Sequence, residues 1–164
     1  MRTDYEALIL DQQGPVLNIK TNRPERLNAL HPQLVKELRE VFQALYFDRS
    51  VRVVVLEGAG RAFCAGLDLK DSSDSRGKRT VEQGLDNQRS IAEIYVAMRR
   101  CPQPIVSIVQ GAASGGGFSL ALASDIRILS EDARMNAAFI RIGLTSCDMG
   151  VSYFLPRMVG MSLA

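Results

Sequence analysis

Ile105-Val106-Ser107-Ile108-Val109-Gln110-Gly111-Ala112-Ala113-Ser114-Gly115-Gly116-Gly117-Phe118-Ser119-Leu120-Ala121-Leu122-Ala123-Ser124-Asp125 reads as a buried strand, a turn and a buried helix in succession. The β-branched run Ile105 to Val109 is the strand, the kind of short apolar segment that fills the middle of an α/β sheet. Gly111 marks the turn. Gly115, Gly116 and Gly117 then lead into Leu120 to Ala123, whose small and apolar side chains read as a buried helix. Glycines at a helix N-terminus expose bare N–H groups where the helix dipole favours negative charge. The anion served could be a phosphate or the oxyanion of a thioester. The alternative is that the glycines only let helix and sheet approach closely.

Working outward, Tyr5 to Leu10 and Val16 to Lys20 read as a hairpin split by Asp11-Gln12-Gln13-Gly14-Pro15. Residues 32–48 are an amphipathic helix, with Leu34, Val35, Leu38, Val41, Phe42 and Leu45 at helical spacing, and His31 falls at its N-cap before Pro32. Val51 to Leu56 is a strand running into a glycine-bearing loop, Glu57 to Lys70. Asp71 to Lys78 reads as a polar loop. Thr80 with Gln83 forms a capping-box pattern for a helix that Cys101-Pro102-Gln103-Pro104 stops. Asp125 to Leu129 and Arg134 to Ala138 read as further strands. Val151 to Val159 is a last apolar segment, interrupted by Pro156. Strand–helix alternation of this kind predicts βαβ crossovers in an α/β core, with the glycine-bearing loops gathered at one sheet edge.

Composition and motifs remove several function classes. A net charge of +2 with no dense basic stripe argues against a nucleic-acid surface. No apolar run is long enough for a membrane span, and Met1-Arg2-Thr3-Asp4-Tyr5-Glu6 lacks the apolar core of a signal peptide. Cys64, Cys101 and Cys147 read as reduced thiols, so a cytoplasmic location is expected. His31 is the single histidine, which speaks against a Ser–His–Asp triad, and no cysteines sit at zinc spacing. Gly58-Ala59-Gly60-Arg61-Ala62-Phe63 lacks the third glycine of a dinucleotide fingerprint, and Gly77-Lys78-Arg79 is not a phosphate-binding loop.

Three segments together resemble another family. Asn22-Arg23-Pro24-Glu25-Arg26-Leu27-Asn28-Ala29-Leu30, Gly58 through Leu69 with its Cys64-Ala65-Gly66-Leu67-Asp68-Leu69, and Gly111 through Gly117 come in the order and spacing of the crotonase (enoyl-CoA hydratase/isomerase) superfamily. Leu155-Pro156-Arg157-Met158-Val159-Gly160 adds a fourth match. The resemblance implies an α/β fold of crotonase-like type, the ββα-repeat spiral of the ClpP/crotonase core. It also implies an acyl-CoA thioester as substrate, with coenzyme A entering as part of that substrate and no separate cofactor or metal. The matched oxyanion-hole donors are the backbone N–H groups of Leu67 and Gly116. The family's CoA contacts match Arg26, Leu27, Ala29, Ala65, Gly66, Asp68 and Leu69.

The resemblance also carries departures. The two glutamates of the family's hydratases match Ser119 and Phe139 here, and neither can move a proton near neutral pH. Asp148, in Asp148-Met149-Gly150, matches an aspartate of dienoyl-CoA isomerases; it is expected either as a base or nucleophile at the acyl chain or as the cap of a helix beginning at Met149. Asp68 is expected to hold its loop through backbone hydrogen bonds. Family subunits continue into C-terminal helices that build a trimer or hexamer. Residues 1–164 are therefore expected to be a truncated crotonase-like core without that trimerisation domain, either a fragment or a natural shortening. The rival expectation is a non-catalytic acyl-CoA-binding or inactive member.

Overall fold

The computed structural model describes residues 4–70, 80–145 and 147–164, with Asp148 described in its backbone alone. The polar segment Asp71 to Lys78 lies outside the described residues. Strands β1 (Leu8–Gln13) and β2 (Val16–Thr21) pair antiparallel, and β3 (Val53–Gly58) and β4 (Ile105–Val109) join β2 in parallel. Two short strands follow, β5 (Ala112–Ser114) and β6 (Ile126–Leu129), and β6 completes the main sheet in the order β1-β2-β3-β4-β6. β1 runs three residues beyond the expected end at Leu10. Its ladder with Val16, Leu17 and Asn18 sets the boundary, and this edge strand leaves Asp11, Gln12 and Gln13 in solvent at no penalty.

A second set of short parallel pairings runs beside the main sheet. Leu30 bridges Leu67, Cys64 bridges Ala113, and β5 pairs with β7 (Arg134–Asn136). Each repeat thus gives one strand to the large sheet and a short step to the small one, which is the ββα spiral. The helices lie on the connections. α1 (Pro32–Leu45) buries Leu34, Val35, Leu38, Val41, Phe42 and Leu45, and His31 is its N-cap residue. α2 (Val81–Arg100) starts on the expected capping box: Thr80 Oγ1 accepts from the Gln83 amide at 3.2 Å, and Gln83 Oε1 accepts from the Thr80 amide at 3.0 Å. Among the described residues no helix is long and apolar enough to cross a membrane.

The last two helices differ from their sequence expectations. α3 (Gly116–Ala123) begins at the glycines themselves, and every one of its residues is buried. α4 (Val151–Val159) continues through Pro156. Its N-cap residue is Gly150, at φ 82°, and Met149 stands at φ 52°. A helix beginning at Met149 and capped by Asp148 is therefore excluded. The left-handed backbone at 149 and 150 separates Asp148, which opens the short 3-10 turn Asp148–Gly150, from the first turn of α4.

One buried carboxylate fastens the start of the chain. Glu37 on α1 is fully buried, and its two oxygens accept the Glu6 and Ala7 amides, each at 2.8 Å, with Gln33 Nε2 also donating at 2.8 Å. Removing it strands the buried Ala7 amide and takes the acceptor from the part-buried Glu6 amide. Glu37→Ala is expected to lower unfolding free energy by about 2–4 kcal/mol in urea titrations; a loss below about 0.5 kcal/mol would show that the N-terminal segment is held by apolar contacts alone.

Candidate active site

The residues from Cys64 to Leu69 form a short extended step held on both sides. The Leu30 amide donates to the Gly66 carbonyl at 2.7 Å and the Asp68 amide donates to the Leu30 carbonyl at 2.9 Å. In such a parallel bridge the residue between, Leu67, turns its own N–H to the opposite side. On the other side stands the N-terminus of α3. Gly66 has φ 92°, and a Cβ there would lie 2.6 Å from the Ser114 carbonyl oxygen and 3.5 Å from the Gly116 nitrogen. The peptide that carries the Leu67 N–H therefore starts beside the Gly116 N–H.

Neither amide is used up by the fold. Gly116 is the first residue of α3, where no intrahelical acceptor exists. The first bonds nearby come from Gly115 N–H to the Asn136 carbonyl and from Ser119 N–H to the Gly115 carbonyl, each at 3.0 Å. Among the described residues no protein acceptor faces the Leu67 or the Gly116 N–H. Tyr95 on α2 donates its hydroxyl to the Gly116 carbonyl at 3.0 Å, holding the peptide plane after the donor.

Both residues line one cleft of about 150 Å³. Its walls are otherwise mostly apolar: Leu30, Ile91 of α2, Phe139, Ile142, Leu144 and Met149, with Ala65, Gly66 and Leu69 at one side. Among the described residues two polar ones line it, Gln88 and Arg141. Among the described residues no group of three or more histidine, cysteine, aspartate or glutamate side chains could hold a metal.

The remaining expected residues fall around this cleft in different ways. Arg26, Leu27 and Ala29 do not line it. They belong to the loop behind it, where Leu27 and Asn28 take left-handed backbone and the Leu27 carbonyl accepts the Ala65 amide at 2.9 Å. Asp68 is buried, and its carboxylate meets the Arg23 guanidinium at 3.2 Å. It thus holds its loop through a side-chain ion pair as well as through its own amide. Asp148 is adjacent in sequence to Met149, whose side chain lines the cleft. Ser119 is fully buried on α3, with its Oγ donating to the Gly115 carbonyl at 3.4 Å, and it is not part of the lining. Phe139 is buried and lines the cleft.

Sequence reading missed the role of Asn28. Fully buried, it donates through Nδ2 to the Ala59 and Ala62 carbonyls at 2.8 and 2.7 Å and accepts the Arg23 amide at 2.9 Å. This clamp joins the two loops that frame the Leu67 donor. It also missed Leu30, Ile91 and Met149 as cleft residues, although the helical spacing of Ile91 with Ile94 and Tyr95 had already placed that face inward.

Residues 11–164 match the family described as enoyl-CoA hydratase/isomerase. A Mycobacterium leprae protein described as a probable enoyl-CoA hydratase, echA12, is 41% identical over 99% of this chain and 57% of its own length. The 1,2-epoxyphenylacetyl-CoA isomerase of Escherichia coli is 34% identical over 97% of this chain and 60% of its own. Among solved structures, Pseudomonas aeruginosa AtuE superposes with a TM-score of 0.89 at 36% identity over 96% of this chain and 60% of that one. An enoyl-CoA hydratase of Bacillus anthracis superposes at 0.87 with 31% identity, over 96% of this chain and 60% of that one. The chain thus spans less than two thirds of the length of these relatives.

The packing under the cleft gives a chemical test. Cys64 is fully buried, and burial pushes its thiol up from 9.0 to about 12, whereas Cys147 is exposed. Cys64 therefore stays a thiol at neutral pH and has no nucleophile to offer. Because the unfolded chain would release this proton first, folded stability is expected to fall as pH rises from about 9 toward about 12. In native protein at pH 8 a thiol reagent should modify Cys147 quickly and Cys64 only after denaturation. Fast native labelling of Cys64 would contradict the close packing described.

Proposed function

The chain belongs to the enoyl-CoA hydratase/isomerase family, and from that premise we propose that it serves an acyl-CoA enzyme that stabilises a thioester enolate at the Leu67 and Gly116 amides. The observation that carries this reading is the pair of acceptor-less N–H groups, from two separate segments, on one mostly apolar cleft. When a proton leaves the carbon next to a thioester carbonyl, charge moves onto the carbonyl oxygen. Two fixed N–H dipoles in a dry site stabilise that charge without reorganising, and loss of one such donor typically costs about 3 kcal/mol. The Gly116 donor gains further from its place at the positive end of α3.

The proton-transfer group in this proposal is Asp148, the base at the acyl chain. Ser119, held to the Gly115 carbonyl inside α3, and Phe139, an apolar wall, leave the two-glutamate hydration scheme without its carboxylates. Isomerisation, in which one base moves a proton between carbons of the acyl chain, suits the residues better than hydration. Coenzyme A is bound through the Arg26–Ala29 loop and the Ala65–Leu69 step. The working assembly is a homo-oligomer of subunits containing this region.

A second reading, a non-catalytic acyl-CoA-binding subunit, draws on the same loss of both glutamate positions. Turnover separates the two. The chain should convert a 3,5-dienoyl-CoA faster than it hydrates crotonyl-CoA, and Asp148→Asn should lower kcat by about a hundredfold or more while leaving KM within about threefold. Acyl-CoA binding with no turnover, unchanged in Asp148→Asn, would favour the binding subunit. Rapid crotonyl-CoA hydration would overturn the role given to Ser119 and Phe139.

A further inference from the structure

We propose that Arg141 reads an oxyanion carried by the acyl group, so that the preferred thioester bears a second carboxylate away from the sulfur; this rests on the acyl-CoA reading. Arg141 sits in the 3-10 turn Ala138–Ile142, two residues after Phe139, and lines the cleft that holds the Leu67 and Gly116 amides. It is the one charged side chain on that lining among the described residues. It is exposed, and no hydrogen bond or ion pair engages it among the described residues. Gln88, the other polar side chain there, has a protein partner of its own.

An exposed guanidinium at the edge of an apolar cleft, with no protein counter-charge, is free to pair with an anionic group that a ligand brings into the cleft. The planar fork of an arginine matches a carboxylate with two parallel hydrogen bonds, and a ligand filling the cleft beside Phe139, Ile142 and Leu144 shields that pair from part of the water. The phosphates of coenzyme A share this chemistry. Ala65, Gly66 and Leu69, also assigned to coenzyme A, share the lining with Arg141; the acyl group is favoured as the source because Arg141 shares the 3-10 turn Ala138–Ile142 with Phe139, the position that matches a glutamate acting on the acyl chain. A neutral acyl tail would meet the same walls with a free cation beside it. A tail ending in a carboxylate satisfies both.

Binding of two unreactive thioesters of equal carbon number, pentanoyl-CoA and glutaryl-CoA, measured by calorimetry on the full chain, tests this without requiring turnover. Glutaryl-CoA is expected to bind about tenfold more tightly. Arg141→Met should bring the two within about twofold by weakening glutaryl-CoA alone, and Arg141→Lys should keep part of the preference. Equal affinities in the wild type, or a preference that survives Arg141→Met, would overturn the proposal. So would a parallel loss for both thioesters and for free coenzyme A, which would assign Arg141 to the phosphates. Binding of neither thioester would remove the acyl-CoA reading and this inference with it, whereas tight binding of pentanoyl-CoA alone would remove only this inference. Circular dichroism of each variant checks that the fold is unchanged.

Discussion

Helix α3 rests against the Cys64 carbonyl so closely that a methyl group at Gly117 would collide with it, and backbone, unlike a side-chain end, has little room to yield. Much of the site follows from that approach. It brings the first turn of the helix beside the Gly66–Leu67 peptide. It puts Gly115 into left-handed backbone, at φ 52°, to turn the chain out of β5. The neighbouring Gly116 is less constrained, since its would-be Cβ meets the Leu30 Cδ1 at 2.6 Å and the Tyr95 hydroxyl at 3.1 Å, both side-chain atoms. The glycine triplet therefore permits close packing, and it leaves the Gly116 N–H without a protein acceptor among the described residues.

Around that contact the supports are polar and paired. Asn28 ties the Arg23 segment to the carbonyls of Ala59 and Ala62, and Arg23 reaches across to Asp68 and to the Ala29 carbonyl. Each of these groups is buried or half-buried, and each finds a partner, as the cost of an unsatisfied polar group in the interior demands. Leu67 stands between two of these fastened points, so its N–H direction is set by backbone hydrogen bonds on either side rather than by its own side chain.

Much of this was legible in the residues alone. The apolar spacing of α1, the Thr80–Gln83 capping box and the β-branched run of β4 follow from local preference and burial period, and the structure keeps all three. The glycine triplet pointed to the α3 terminus because few other sequences leave so many N–H groups bare. What stayed hidden depends on contacts between distant segments. Asn28 looks like an ordinary loop residue until its amide is seen holding carbonyls more than thirty positions away. The end of β1 is set by its partner strand, not by its own polar residues. Pro156 marks a break by propensity, yet α4 runs through it. Asp148 read as a cap of a helix starting at Met149 or as a base; the left-handed backbone at Met149 and Gly150, invisible in composition, moves the helix start to Val151, with Gly150 at its N-cap.

The two donors facing the cleft are main-chain groups, and this separates two things that many sites combine. No exchange of one side chain for another can delete the Leu67 or Gly116 N–H, short of proline. The residues proposed above to act on or read the acyl group, Asp148 and Arg141, lie instead with Phe139 on one short run of chain after β7. On that proposal, a lineage or an engineer could rewrite the chemistry by editing about ten codons while the main-chain donors beneath are inherited intact.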